Sequence, residues 1–184
     1  MLKEIKIVDT DTDWAEIERL YQQQIHDSWQ KCSTEQKHDK TISVYKNKSK
    51  NMMAKLDGYL EKDSTWAVFT FQDLKERVKW LKHFDFLDYN LTYYSVNESV
   101  KEHTDHWYTW TKINYIVQGS ESDYTYCDGY THYHRPGSAY IIDASKPHGA
   151  SITQPTSILS IDWMKYPIKD FITLLTKHYP ECII

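Results

Sequence analysis

Proline is absent before Pro136, and the first ninety residues hold a single glycine, Gly58. A stretch so poor in backbone breakers favours helices and long polar connections. All five prolines (Pro136, Pro147, Pro155, Pro167, Pro180) lie in the last third, and four of the five glycines (Gly119, Gly129, Gly137, Gly149) fall between residues 119 and 149. Turn-rich structure therefore belongs to the second half. Cysteine is sparse: Cys32, Cys127 and Cys182 are far apart and form no CxxC. An odd count excludes a complete pairwise disulfide framework and fits a reducing, cytoplasmic setting. No run of eighteen apolar residues is present to span a bilayer, and Met1 to Thr10 lacks a signal-peptide core. Basic charge is not in excess either. The net charge is −4, and the one lysine-dense stretch, Lys46 to Lys55, reads as a solvated loop. Bulk nucleic acid and an anionic membrane are thereby disfavoured as partners. GxSxG, Walker A, GxGxxG and HExxH are all missing, which removes the commonest hydrolase, NTPase, dinucleotide and zincin readings.

What is present is ordinary globular composition, 40% hydrophobic and 26% charged over 184 residues. One domain, 1–184, is the expectation, long enough to bury roughly 70% of its unfolded surface. Aromatic residues are abundant, with fifteen Tyr and seven Trp, and concentrate after residue 89, where strands accommodate them.

Lys3 to Val8 alternates like a short strand. Asp13 with Glu16 resembles a capping box, and Trp14, Ile17, Tyr21, Ile25 and Trp29 keep helical spacing. Residues 33–63 read as a polar loop with a helical turn around Met52 to Leu60. Ser64 to Phe71 is a strand candidate. Gln72 to Phe84 places Leu74, Val78, Leu81 and Phe84 on one face of an amphipathic helix. From Leu91 the period shortens. Residues 91–96, 110–118, 122–127, 138–143, 149–153 and 157–163 are short β-rich runs parted by turns, the pattern of a sandwich or barrel. Pro167 opens a last helix carrying Ile168, Phe171, Leu174 and Leu175. The fold class expected is α+β: a helical and loop support region over 1–89, a β-barrel core over 90–165, and a C-terminal helix over 166–184.

Two histidines and an aspartate stand out among nine histidines. In extended backbone, residues i and i+2 share a side, so His103 and Asp105 can offer a nitrogen and an oxygen to one point. His148, just past the apolar strand 139–142, is the obvious third ligand. Two histidines and one carboxylate leave coordination positions open and suit non-haem Fe(II). The competing view is a polar surface turn at 102–106 and a loop histidine after Pro147. His106 is a weaker candidate, because an i+3 spacing from His103 suits a strand poorly.

HTD at 103–105, the strand WTKINYIVQ, then GSAYIIDASKPHGAS and SILSIDW resemble the core of Fe(II)/2-oxoglutarate-dependent oxygenases, and within them the aspartyl/asparaginyl hydroxylase and phytanoyl-type branches. The resemblance covers roughly residues 90–165. It implies a double-stranded β-helix (a jelly-roll, cupin-like barrel) with N-terminal helices and a C-terminal helix. It also implies His103, Asp105 and His148 as iron ligands, 2-oxoglutarate as cosubstrate, and O2. The activity implied is hydroxylation of an amino-acid or peptide side chain or a small metabolite, with succinate and CO2 as coproducts. The family usually carries an Arg or Lys on the last barrel strand to hold the far carboxylate of 2-oxoglutarate; here Thr156 or Ser157 stands there. Lys112 is then the first candidate for that task and Arg135 the second, with Asn114, on the same strand face as Lys112, as a further hydrogen-bonding group.

Other readings stay open. His132 and His134 form an HxH that, with His148, is the ligand pattern of a cupin metalloprotein, a dioxygenase or isomerase working without 2-oxoglutarate. The two histidines are expected on a Tyr-rich loop or strand at the barrel mouth, contacting substrate or solvent rather than metal. A barrel that binds a ligand without catalysis is the third reading. Trp107 and Trp110 read as barrel-end packing, and Cys127 has no evident base to make it a nucleophile. The partner expected is a small-molecule or peptide substrate, with no membrane. Exposed aromatic strands serve a monomer's substrate mouth and a homodimer face equally well.

Overall fold

The computed structural model describes residues 1–37, 39–105, 109–164 and 166–182. His106 and Trp107 lie outside the described residues. Thirteen strands form two antiparallel sheets among them: β1 (Leu2–Ile5), β2 (Gln30–Lys37), β3 (Lys40–Lys46), β4 (Met52–Asp57), β5 (Thr65–Thr70), β6 (Asn90–Val96), β7 (Val100–His103), β8 (Thr109–Gln118), β9 (Tyr124–Cys127), β10 (Tyr130–Tyr133), β11 (Ala139–Asp143), β12 (His148–Ser151) and β13 (Thr156–Met164). The large sheet runs β1-β11-β8-β13-β6-β5-β4-β3-β2, and the small one β10-β9-β12-β7. Strands β6 to β13 thus divide between the sheets as β11-β8-β13-β6 against β10-β9-β12-β7, the chain changing sheet at every step except the β9–β10 hairpin. That winding is an eight-stranded jelly roll, the double-stranded β-helix of cupins.

Side-chain alternation along single strands decides which residues face the interior. On β13, Leu159, Ile161 and Trp163 point outward from the barrel into the main core, while Ile158 lines the barrel with Ser160 and Asp162. On β8, Ile113 and Tyr115 take the outer face, and Lys112 and Asn114 the inner one. The outer face is covered by α1 (Trp14–Ile25), α2 (Leu74–Arg77), a 3-10 turn at Lys79–Phe84 and α3 (Ile168–His178). Ile17, Leu81, Phe84, Phe171 and Leu175 are buried there against Ile113, Leu159 and Trp163, each contributing about 1.5–3 kcal/mol by burial. Asp13 caps α1 by accepting from the Glu16 N–H at 3.0 Å. The β9–β10 hairpin turns on Asp128 (φ 52°) and Gly129 (φ 80°), two left-handed residues in a row, which a two-residue turn of this twist requires.

The support region over 1–89 is not helix and loop. Residues 30–57, expected as polar connection for most of their length, form the meander β2-β3-β4, which extends the large sheet through β5 to β6. Strand β2 is exposed along nearly all of its length, so it has no buried face to impose an alternation of apolar residues. The expected helix at 72–84 also breaks. Val78 leaves helical geometry (φ −103°, ψ 85°) and splits it into α2 and the 3-10 turn. Leu74, Val78, Leu81 and Phe84 are nonetheless all fully buried. The apolar face was legible; the continuity of the helix was not. Among the described residues no helix is long and apolar enough to cross a membrane.

Candidate metal centre

Strands β7 and β12 are antiparallel neighbours in the small sheet, with His148 directly opposite His103. The pairing sets the two imidazoles side by side, ring centres 4.3 Å apart. Asp105 follows two residues past His103 and is tied down by its own N–H, which donates to Ala144 O at 2.7 Å. His103 Nε2 lies 3.7 Å from Asp105 Oδ1, and His148 Nε2 lies 3.8 Å from Asp105 Oδ2. The opposite ring nitrogens are taken up by backbone: His103 Nδ1 bonds Lys101 O at 2.8 Å, and His148 Nδ1 bonds Lys146 O at 2.9 Å. Since a carbonyl only accepts, both Nδ1 atoms carry the proton. Both Nε2 lone pairs are then left for one point in the barrel.

The donor set fits a divalent transition metal. The three donor atoms lie within 4.8 Å of one another, and Asp105 Oδ1 is buried without a hydrogen-bond partner. Ligands held at about 2.1 Å and at right angles sit about 3 Å apart, so closing on an ion asks for side-chain shifts of under about 1 Å. Protonation also fits. Burial, reinforced by the adjacent His148, pushes His103 down to about 3, and burial likewise lowers His148. For Asp105 burial works upward, but Lys112 together with His148 and His103 outweighs it and holds the carboxyl below the ordinary range. Neutral imidazoles and an ionised carboxylate are the forms that bind metal.

Glycine is required beside His148. A Cβ at Gly149 would fall 2.5 Å from Tyr126 Oη and 2.9 Å from Val100 O. The close packing of β12 between β9 and β7 seats His148, and Tyr59 packs edge-on against His103 at 4.9 Å.

Lys112, the first candidate for a cosubstrate-binding cation, lies on the barrel's inner face. Its Nζ donates to Asp105 Oδ2 at 2.9 Å and lies 3.8 Å from Asp162 Oδ1. Asn114 lies two residues along the same face. Its Nδ2 donates to Tyr140 Oη at 2.8 Å, and its Oδ1 is buried without a partner. Tyr140 Oη in turn bonds Thr125 Oγ1 at 2.8 Å, which bonds His134 Nε2 at 2.9 Å.

Two expectations fail here. Arg135 is on the outer surface, paired with Glu4 at 3.1 Å. It belongs to the turn before β11 that bonds Ile116, at the other end of the inner face from Lys112. Its guanidinium does not line the cavity. His132 and His134 are not at a mouth and do not join His148. Both are buried, His132 Nε2 bonding Ser138 Oγ at 3.0 Å and His134 bonding Thr125. Among the described residues the one His/Cys/Asp/Glu group with metal-binding geometry is His103, Asp105 and His148.

Sequence reasoning missed Asp162 and Ser160. Their signal was legible: two polar residues at alternate positions in the apolar run ILSIDWM must share the side opposite to Leu159, Ile161 and Trp163. Ser160 Oγ donates to Asp162 Oδ1 at 3.2 Å, and burial raises the Asp162 carboxyl against the pull of Lys112. Ser160 pairs with Asn114 and Asp162 with Lys112 across β13 and β8, a polar plate on the inner face.

These groups open into one cavity of about 820 Å³. His103, Asp105, His148, Lys112, Asn114 and Asp162 line one end, and side chains of β3, β4 and β5 line the wall beyond.

No protein-family model matches the chain, and no curated protein matches it. Among solved structures, the chain is similar to an oxidoreductase of the 2OG-Fe(II) oxygenase family from Burkholderia pseudomallei, at 10% identity over 89% of this chain and 85% of that one, TM-score 0.44. It is similar to a putative ethanolamine utilization protein from Salmonella typhimurium, at 10% identity over 74% and 97%, TM-score 0.38. A cupin superfamily protein from Desulfitobacterium hafniense aligns at 19% identity over 42% and 68%, TM-score 0.36.

Proposed function

We propose that this chain is a non-haem Fe(II)- and 2-oxoglutarate-dependent oxygenase that hydroxylates a small molecule or a side chain. The observation that carries the reading is the buried His103–Asp105–His148 group, with both Nδ1 atoms tied back to carbonyls and Lys112 beside it on the barrel's inner face. His103 Nε2, His148 Nε2 and an Asp105 oxygen would hold the ion. When bound, Fe(II) with 2-oxoglutarate would supply O2 activation, the balance being R–H + 2-oxoglutarate + O2 → R–OH + succinate + CO2.

The protein's own groups hold and orient. Lys112 presents an ammonium to the distal carboxylate of 2-oxoglutarate as a point charge, and Asp162 keeps that ammonium on the cavity side. Tyr140's hydroxyl can donate or accept, so the Asn114 amide can turn either its oxygen or its NH2 toward a ligand. Lys112 and Asn114 are themselves largely buried, which strengthens each of these interactions.

A second reading is a cupin-type metalloprotein that uses no 2-oxoglutarate. It is favoured by Asp162: the last barrel strand brings a carboxylate to the cavity, and Lys112 is shared between two acids. Succinate formation separates the two. Protein supplied with Fe(II), 2-oxoglutarate and O2 is expected to release succinate even without its substrate, slowly, and His148→Ala is expected to stop it. Metal binding without any succinate would move the assignment to the cupin reading.

A further inference from the structure

The cavity continues past the metal centre along one face of β3, β4 and β5, where Trp66 and Val68 pack on buried clusters of the barrel and, among the described residues, Ile42, Val44, Ala54 and Leu56 join no such cluster. Cross-strand pairing aligns Val44, Ala54, Val68 and Tyr94 in one row and Ile42, Leu56 and Trp66 in the next, and all seven line the cavity. The opposite faces of the same strands are accounted for, since Met53 and Phe69 are buried in the main core. On the cavity side Ile42, Val44, Ala54, Leu56, Trp66 and Val68 are all only half-buried. The Trp66 indole N–H is buried without a partner. Apolar side chains left this open, on the wall of a cavity that holds a metal-ligand set, are poised for a ligand rather than for folding.

The wall also states what the ligand is. The charged lining groups are Asp105, Lys112 and Asp162 at the metal centre and, where the chain enters β6 beside Asp162 (the cross-strand partner of Asn90), Asp88 and the Lys75–Asp85 pair, 2.6 Å apart. The wall rows themselves carry no charge, which suits an uncharged body. Strands β3 and β4 are paired along both sides, and β5 is paired along β4 and meets β6 at Val68 and Phe69, so most of the wall's backbone is already used and little is left for a peptide's main chain. The volume of about 820 Å³ is that of a small-molecule site.

We propose that the β3–β4–β5 wall binds the body of the substrate, and that the substrate is an elongated, uncharged, mainly hydrocarbon small molecule whose one end reaches the metal centre. The oxygenase reading enters only in calling this occupant a substrate; the site itself is testable without it.

The test measures binding of 1-hexanol, 1-octanol and 1-decanol by calorimetry, using protein free of metal and 2-oxoglutarate. Neutral alcohols take no charge-based affinity from Lys112. Burial along the wall tightens binding by up to about fourfold per methylene, so decanol is expected to bind roughly 10- to 200-fold more tightly than hexanol. Leu56→Asp is expected to flatten that series. Val44→Thr keeps the β-branched shape and strand preference, and is expected to weaken decanol about threefold without loss of fold. Tyr133→Ser, at an exposed tyrosine away from the cavity, is expected to leave the series unchanged. Affinity independent of chain length, or a series unaltered in both wall variants, would overturn the proposal. A length-dependent series in a protein that forms no complex with Fe(II) and 2-oxoglutarate would keep the hydrocarbon site and overturn the oxygenase reading instead.

Discussion

Replacing Lys112 by methionine separates the roles of the buried charges, because the substitution keeps the stem and removes only the ammonium. In the structure that ammonium lies 2.9 Å from Asp105 and 3.8 Å from Asp162, with Asp105 almost wholly buried. Three effects follow. The metal-free protein loses about 3–5 kcal/mol, because two buried carboxylates lose their counter-charge. Metal affinity rises, because an incoming ion no longer competes with a cation for Asp105. Unit charges about 3 Å apart interact by about 5 kcal/mol at an effective dielectric of 20. Most of that is returned as solvation, leaving a gain of about tenfold. Affinity for 2-oxoglutarate moves the other way: a charge-assisted hydrogen bond worth about 1.5–3 kcal/mol is lost, a weakening of about 10- to 150-fold. Calorimetric titration with Mn(II), and then with 2-oxoglutarate on the Mn(II)-loaded protein, reads both constants. Opposite signs are the expected result. Unchanged 2-oxoglutarate affinity, or weaker metal binding, would refute the reasoning.

Single-ligand variants His103→Ala and His148→Ala are each expected to cost more than about 100-fold in metal affinity while retaining the fold, read by metal titration beside circular dichroism. Gly149→Ala drives a methyl into Tyr126 and the Val100 carbonyl; a loss of about 1–3 kcal/mol is expected, together with weaker metal binding because His148 is the adjacent residue. Burial holds His134 neutral down to about 4. The unfolded imidazole takes its proton near 6.5, so this contribution is complete above pH 6.5 and is lost as the pH falls toward 4. The slope is up to about 1.4 kcal/mol per pH unit, and His134→Gln is expected to remove it in urea unfolding at pH 7, 6 and 5.

The barrel was legible because its strands carry two signals at once. Turn residues cut the second half into short segments, and residues such as Leu159, Ile161 and Trp163 alternate with a different inner set. His103, Asp105 and His148 were legible through local spacing plus one long-range guess, which the β7–β12 pairing makes concrete. Lys112 and Asn114 were expected on one face of their strand, and both line the cavity. The meander at 30–57 was not legible, because β2 is exposed and its register is set by β3 rather than by its own pattern. Arg135 was misjudged because charge type alone says nothing about which end of a barrel a turn occupies. His132 and His134 mimic a ligand pair, yet each is buried with its Nε2 bonded to a hydroxyl, Ser138 or Thr125, and neither joins His148.

The proposed activity needs one centre to take Fe(II) and 2-oxoglutarate together. Mixing the metal-free protein anaerobically with both and recording the visible spectrum tests that directly. A weak charge-transfer band that needs protein, Fe(II) and 2-oxoglutarate, and that is lost in His103→Ala and weakened in Lys112→Met, is the result predicted. A protein that binds Fe(II) but gives no band at saturating 2-oxoglutarate would contradict it.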